Sequence, residues 1–174
     1  HQLLDQSFAI SHIDFVRFHT RMLSFAPMRI TKELCEILRQ YAPIFLVTHF
    51  NHPQELSDDA IKAIKLLQNS GVTLLNQSVL LKGINDSKDI LLKLFRDLSK
   101  NQVRPYYLHQ CDVVSGASHF RVPIKEAIAL VNSLRGHISG HCLPTFVLDI
   151  PGGHGKVPLN SLPIVEEDED RSEE

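Results

Sequence analysis

"IFLVTHFNHPQELSDDAIKAIKLLQNSGVTLLNQSVL", residues 44–80, holds one complete unit of the fold. Its first seven residues are apolar, β-branched or aromatic, with Thr48 and His49 near the end, the composition of a buried strand. Ser57 then precedes Asp58 and Asp59, a helix cap followed by acids in the first turn, and Ile61, Ile64 and Leu67 recur at helical spacing. Gly71 stops that helix, and "VTLLNQSVL" (72–80) starts a second strand immediately. Two strands joined through a helix run parallel, because only a crossover connection returns the chain to the same end of the sheet.

The same alternation continues outward on both sides. "DFVRF" (14–18), "RPYYLHQ" (104–110) and "TFVLDI" (145–150) are further short β-favouring runs, so that five such runs recur roughly every 30 residues. Between them lie Leu34, Leu38 and Tyr41 after the cap Thr31, and Ile90, Leu91, Leu94, Phe95 and Leu98 after Ser87. Ala127, Ile128, Val131 and Leu134 run to Gly136. The expected architecture is α/β, with about five parallel strands and helices outside them. Five strands cannot close the usual eight-stranded barrel, so they form either an open doubly wound sheet or part of a (β/α) barrel. In both cases chemistry belongs at the C-terminal strand ends.

Composition narrows the class. A chain of 174 residues with 43% hydrophobic content can bury one substantial core. Nothing approaches the roughly 18 consecutive apolar residues of a membrane span, and the start carries no signal-peptide pattern, so a cytoplasmic location is expected and a membrane role is not. "EEDEDRSEE" at the end sets seven acids against Arg171, leaving the first 165 residues at about +4. Residues 1–163 are therefore expected to be one ordered portion, and 164–174 a solvating, disordered tail. No Lys/Arg cluster is dense enough for nucleic acid. Cys35, Cys111 and Cys142 have no C-x-x-C spacing, which fits neither a disulfide framework nor a metal site.

The strand ends collect a polar set: Arg17, His19 and Arg21; His49, Asn51 and His52; Asn76 and Gln77; His109, Gln110 and Asp112; Asp149 and Lys156. One chemistry open to it is zinc hydrolysis on His49, His52, His109 and Asp112, although the spacing does not force that set together. His137 and His141 are four apart, but Gly136 and Gly140 weaken any helix that would align them. A second chemistry centres on Lys156. "DIPGGHGKVPL" (149–159) imitates a nucleotide phosphate loop but has Ile150 and Val157 where that motif needs Gly and Ser/Thr. Lys156 could instead be a Schiff-base lysine behind a glycine turn able to approach a phosphate, or a solvated surface lysine.

Seven segments decide between these readings: "HTRMLSFAPMRIT", "THFNHPQEL", "LLNQSVLLKGIND", "RPYYLHQCD", "SHFRVP", "LRGHISG" and "PTFVLDIPGGHGKVP". In this order, over roughly residues 10–160, they closely resemble the lysine 2,3-aminomutase family of radical S-adenosylmethionine enzymes. The resemblance implies a partial (β/α) barrel, pyridoxal 5′-phosphate, S-adenosyl-L-methionine and a [4Fe-4S] cluster. The C-x-x-x-C-x-x-C loop that binds the cluster is absent here, so the chain corresponds to the C-terminal part and supplies no metal ligand. By the same resemblance Lys156 holds pyridoxal phosphate, Asp112 and Asp149 recognise the distal ammonium of the substrate, and His49, Gln77, Asn51 and Ser118 line the S-adenosylmethionine pocket. His154 stands where the family has a glycine.

The implied reaction is interconversion of L-lysine and L-β-lysine, carried out by a homo-oligomer at full length with an electron donor for the cluster and not by this portion alone. Glutamate-specific members have no use for two acids facing a distal cation. The "DIPGGxGK" pattern favours free lysine over a lysine of translation elongation factor P. A cluster-free chain that binds pyridoxal phosphate without catalysis is the remaining alternative.

Overall fold

The computed structural model describes residues 1–41, 43–114, 116–150 and 155–159. His154 and the acidic segment lie outside these residues. An opening helix α1 (Gln2–Phe8) leads into strand β1 (Val16–His19). There follow α2 (Met22–Phe25), α3 (Lys32–Arg39), β2 (Ile44–Thr48), α4 (Asp58–Asn69), β3 (Thr73–Leu80), α5 (Lys88–Lys100), β4 (Arg104–Gln110), α6 (Ile124–Asn132), β5 (Thr145–Ile150) and β6 (Gly155–Pro158). The five sequence-read strands all form.

Local chemistry fixes the helix ends. The side chains of Thr31, Ser57 and Ser87 accept hydrogen bonds from the backbone N–H groups of Leu34, Ala60 and Ile90 at 3.2, 3.2 and 3.3 Å. Each thus satisfies one amide that the first helical turn leaves without a partner. Gly71 takes φ +79°, the left-handed conformation that ends α4 and turns the chain into β3.

The strands lie side by side in chain order, β1-β2-β3-β4-β5-β6. β1 to β5 are parallel; β6 pairs antiparallel with β5. A doubly wound sheet would reverse direction partway, and this one never does. Each right-handed crossover therefore lays its helix on the same face, and the sheet curls into a half-barrel whose other face is concave. β6 is the difference from the expected five strands: it is a short exposed return of the chain along β5.

Burial alternates along β3. Leu74, Asn76, Ser78 and Leu80 are buried on the helix side, while Leu75, Gln77 and Val79 are partly exposed on the concave side. The core between sheet and helices includes Ile44, Leu46, Ile64, Leu67, Leu91, Phe95, Leu108 and Phe146. Because β1 to β5 are parallel, their C-terminal ends share one rim of the half-barrel.

Candidate active site at the C-terminal rim

Strand parity sorts the polar set into two groups. Asn76 faces the helices and is 1% exposed. Its carboxamide oxygen accepts from Thr48 Oγ1 and from Phe50 N–H, both at 2.8 Å, while its nitrogen donates to Phe50 C=O at 3.1 Å and Ser78 Oγ at 2.9 Å. That pattern fastens β2 to β3. Gln110, 1% exposed, donates to Val122 C=O at 2.7 Å. Both are structural.

On the concave side His19 and His49 stand edge to face with ring centroids 6.2 Å apart. The Gln77 amide nitrogen lies 3.4 Å from His49 Nε2. Tyr107 and His109 come from alternate positions of β4, with ring centroids 5.8 Å apart. His109 Nδ1 lies 3.5 Å from Asp149 Oδ2, and Lys156 Nζ donates to both Asp149 oxygens at 3.0 and 2.9 Å. The last contact follows from register, since Asp149 and Lys156 are directly opposed across β5 and β6.

Asp112 and Asp149 line one cavity of about 610 Å³ together with Cys111, Arg121, Leu148 and Ile150. Asn51 has a fastening role: its side-chain oxygen accepts from Val79 N–H at 2.8 Å, and its N–H donates to the Glu55 carboxylate. Ser118 begins a single 3-10 turn (Ser118–Phe120) and lines a second cavity with Arg121 and Lys125. The structure thus gathers His49 with Gln77, and Lys156 with Asp149 and Asp112. It sets Asn51 between strand ends and Ser118 in the neighbouring hollow.

The electrostatics have one direction. Burial lowers the His49 pKa, helped by His19, Arg21 and His109. Burial also lowers that of His109, with Lys156 adding to the effect and Asp149 and Asp112 opposing it. His19 is lowered first by burial, then by Arg17 and Lys156. Three imidazoles are held toward the neutral form, so each has one bare ring nitrogen able to accept a hydrogen bond. His109 Nε2 is buried without a partner among the described residues.

The zinc arrangement does not form. His52 Nδ1 is occupied in accepting from Gln54 N–H at 3.2 Å, at the start of a 3-10 turn (Pro53–Glu55). Among the described residues no three His, Cys, Asp or Glu side chains are grouped to hold a metal ion. The three cysteines are separately buried. No described helix is long and apolar enough to cross a membrane. Tyr107 and Arg121 were missed by the sequence reading. The two-residue step from Tyr107 to His109 was the available signal for the first; nothing local distinguished Arg121.

A family profile described as lysine-2,3-aminomutase matches residues 131–172. The chain is 50% identical over 151 residues to an L-lysine 2,3-aminomutase of Fusobacterium nucleatum, covering 87% of this chain and 36% of the relative. It is 48% identical over 150 residues to the L-lysine 2,3-aminomutase of Acetoanaerobium sticklandii, covering 86% and 36%. A glutamate 2,3-aminomutase of Clostridioides difficile is 42% identical over 157 residues, covering 90% and 37%. The chain spans a little over a third of the length of these curated relatives. Over nearly all of its length the chain is thus similar to lysine 2,3-aminomutases, and its half-barrel gathers polar groups at the strand ends, where such folds carry their chemistry.

Proposed function

We propose that this chain forms the cofactor-lysine and substrate-ammonium side of an aminomutase that interconverts L-lysine and L-β-lysine. The observation that carries this is the carboxylate of Asp149, which already holds a lysine ε-ammonium in the structure, that of Lys156, and lines a cavity with a second acid, Asp112. A site that grips one primary ammonium by both carboxylate oxygens is suited to grip another of the same kind. Glutamate carries a carboxylate at its far end, which two acids in one cavity would repel. L-lysine is therefore the better fit, although relatives named for each substrate match the chain at similar identity.

Pyridoxal phosphate fits the residues present at its amine end. Lys156 is partly exposed at the rim, and the half-buried His109, whose Nδ1 faces Asp149, has a buried Nε2 with no partner among the described residues. Bound there, the cofactor would supply an aldehyde that carries the amino group during migration. Lys156 anchors it, Asp149 and Asp112 orient the substrate by its far ammonium, and His109, held neutral, accepts a hydrogen bond without adding charge. His49 and Gln77, half-buried and side by side, are assigned to S-adenosylmethionine. The described residues offer no group of ligands for an iron–sulfur cluster.

The test uses the full-length protein. Wild type mixed with pyridoxal phosphate is expected to develop the visible absorbance of a lysine-bound cofactor, and Lys156→Ala to lose it. With the enzyme reconstituted, β-lysine should form from free L-lysine. Undiminished absorbance in Lys156→Ala, or turnover of elongation factor P lysine with none of free lysine, would overturn the assignment.

A further inference from the structure

We propose that Lys156 has a second role, as the resting counter-ion of Asp149, so that taking up the cofactor opens the substrate-ammonium site. This rests on the reading of Lys156 and Asp149 given above. Both oxygens of Asp149 are engaged by Nζ, at 3.0 and 2.9 Å, and the two residues are locked opposite each other by the β5–β6 register. A substrate ε-ammonium needs the same oxygens. Two ammonium groups crowded onto one carboxylate repel each other, so the arriving cation must displace Lys156 or bind weakly beside it.

Cofactor capture removes the competitor. The Lys156 ammonium gives one proton to solvent; its nitrogen then bonds to the aldehyde carbon, and the aldehyde oxygen leaves as water with the two remaining protons. The nitrogen, now an imine with at most one N–H, can no longer donate to both Asp149 oxygens, and among the described residues Asp149 keeps His109, with Nδ1 3.5 Å from Oδ2. Occupation of Lys156 by cofactor and occupation of Asp149 by substrate are thereby coupled, each favouring the other. The chain would bind its amino-acid substrate poorly until it is loaded.

The experiment measures binding to cofactor-free full-length protein by calorimetry, with 6-aminohexanoate as the probe. It carries the far ammonium and a carboxylate but no α-amine. Lys156→Ala and Lys156→Gln should each bind it about fivefold or more tighter than wild type, the lower range of ordinary coupling. Adding Asp149→Asn to either should abolish the gain. Arg17→Gln, which removes a cation that does not touch Asp149, should leave the wild-type affinity unchanged. No gain in both lysine variants would overturn the proposal, as would an equal gain in Arg17→Gln. Two lysine variants, each checked by near-ultraviolet circular dichroism, keep one misfolded protein from deciding the result. Failure of the cofactor assignment would show separately, as no lysine-bound absorbance in wild type.

Discussion

His109 sits between an ammonium and two carboxylates, yet burial decides its state. Its depressed pKa means that the folded chain binds a proton there less readily than the unfolded chain does, and His49 and His19 behave alike. As pH falls below about 6.5, unfolded imidazoles take up protons first, which draws the equilibrium toward unfolding. This stability is therefore complete above that pH and is lost on the way down to the folded-state values. The urea midpoint should fall between pH 7.5 and 5.5, above the range where carboxylates contribute, and His109→Gln should lessen the fall. A midpoint independent of pH in that window would contradict it. Asp112 makes a second prediction at this scale. Removing one charged partner of a held ammonium costs about 2 kcal/mol, so Asp112→Asn should raise KM for L-lysine by about tenfold or more while kcat changes less. Steady-state kinetics of the full-length enzyme would check this.

Strand β3 shows how much an element determines beyond its residue types. Asn76 and Gln77 are adjacent and chemically similar, but the pleat sends one to the helices and the other to the concave face. Asn76→Ala would leave the buried N–H of Phe50 without its side-chain partner, while Phe50 C=O would keep the Ser78 hydroxyl at 2.7 Å, at a cost of about 2 kcal/mol in chemical denaturation. Gln77→Ala should change stability by less than about 0.5 kcal/mol, and instead weaken S-adenosylmethionine binding in equilibrium dialysis. If both variants lose the same stability, the division of labour is wrong. Sequence alone displayed the five parallel strands, because long β-rich runs and capped amphipathic helices carry their period openly. It listed Asn76 and Gln77 together because a polar residue in a strand does not announce which face it occupies until the neighbouring register is known. It missed β6 because four residues ending in proline, all exposed, have neither apolar alternation nor length. Asn51, placed in the polar set by its position after a strand and in the S-adenosylmethionine pocket by resemblance, accepts from Val79 N–H through its side-chain oxygen, a contact that no local pattern foretells.

At the scale of the whole molecule, the half-barrel leaves an edge. β1 pairs with β2 on one side and with no described strand on the other. Val16 N–H points to Pro43 C=O and Thr20 N–H to Val47 C=O, so by strand alternation the N–H groups of Arg17 and His19 face away from β2. Such an edge pairs readily with another chain. Phe15 beside it is 56% exposed, adding an apolar contact. The chain of residues 1–174, expressed by itself, is accordingly expected to self-associate as its concentration rises. Arg17→Pro should suppress this: proline removes an N–H that β2 does not use, fits an extended backbone and blocks docking of a new strand. Light scattering coupled to size exclusion would read both forms. A wild-type chain that stays monomeric and melts cooperatively would contradict the open edge as a liability. An Arg17→Pro chain that associates as before would place the contact elsewhere, most plainly on the concave face with its half-exposed Leu75 and Val79.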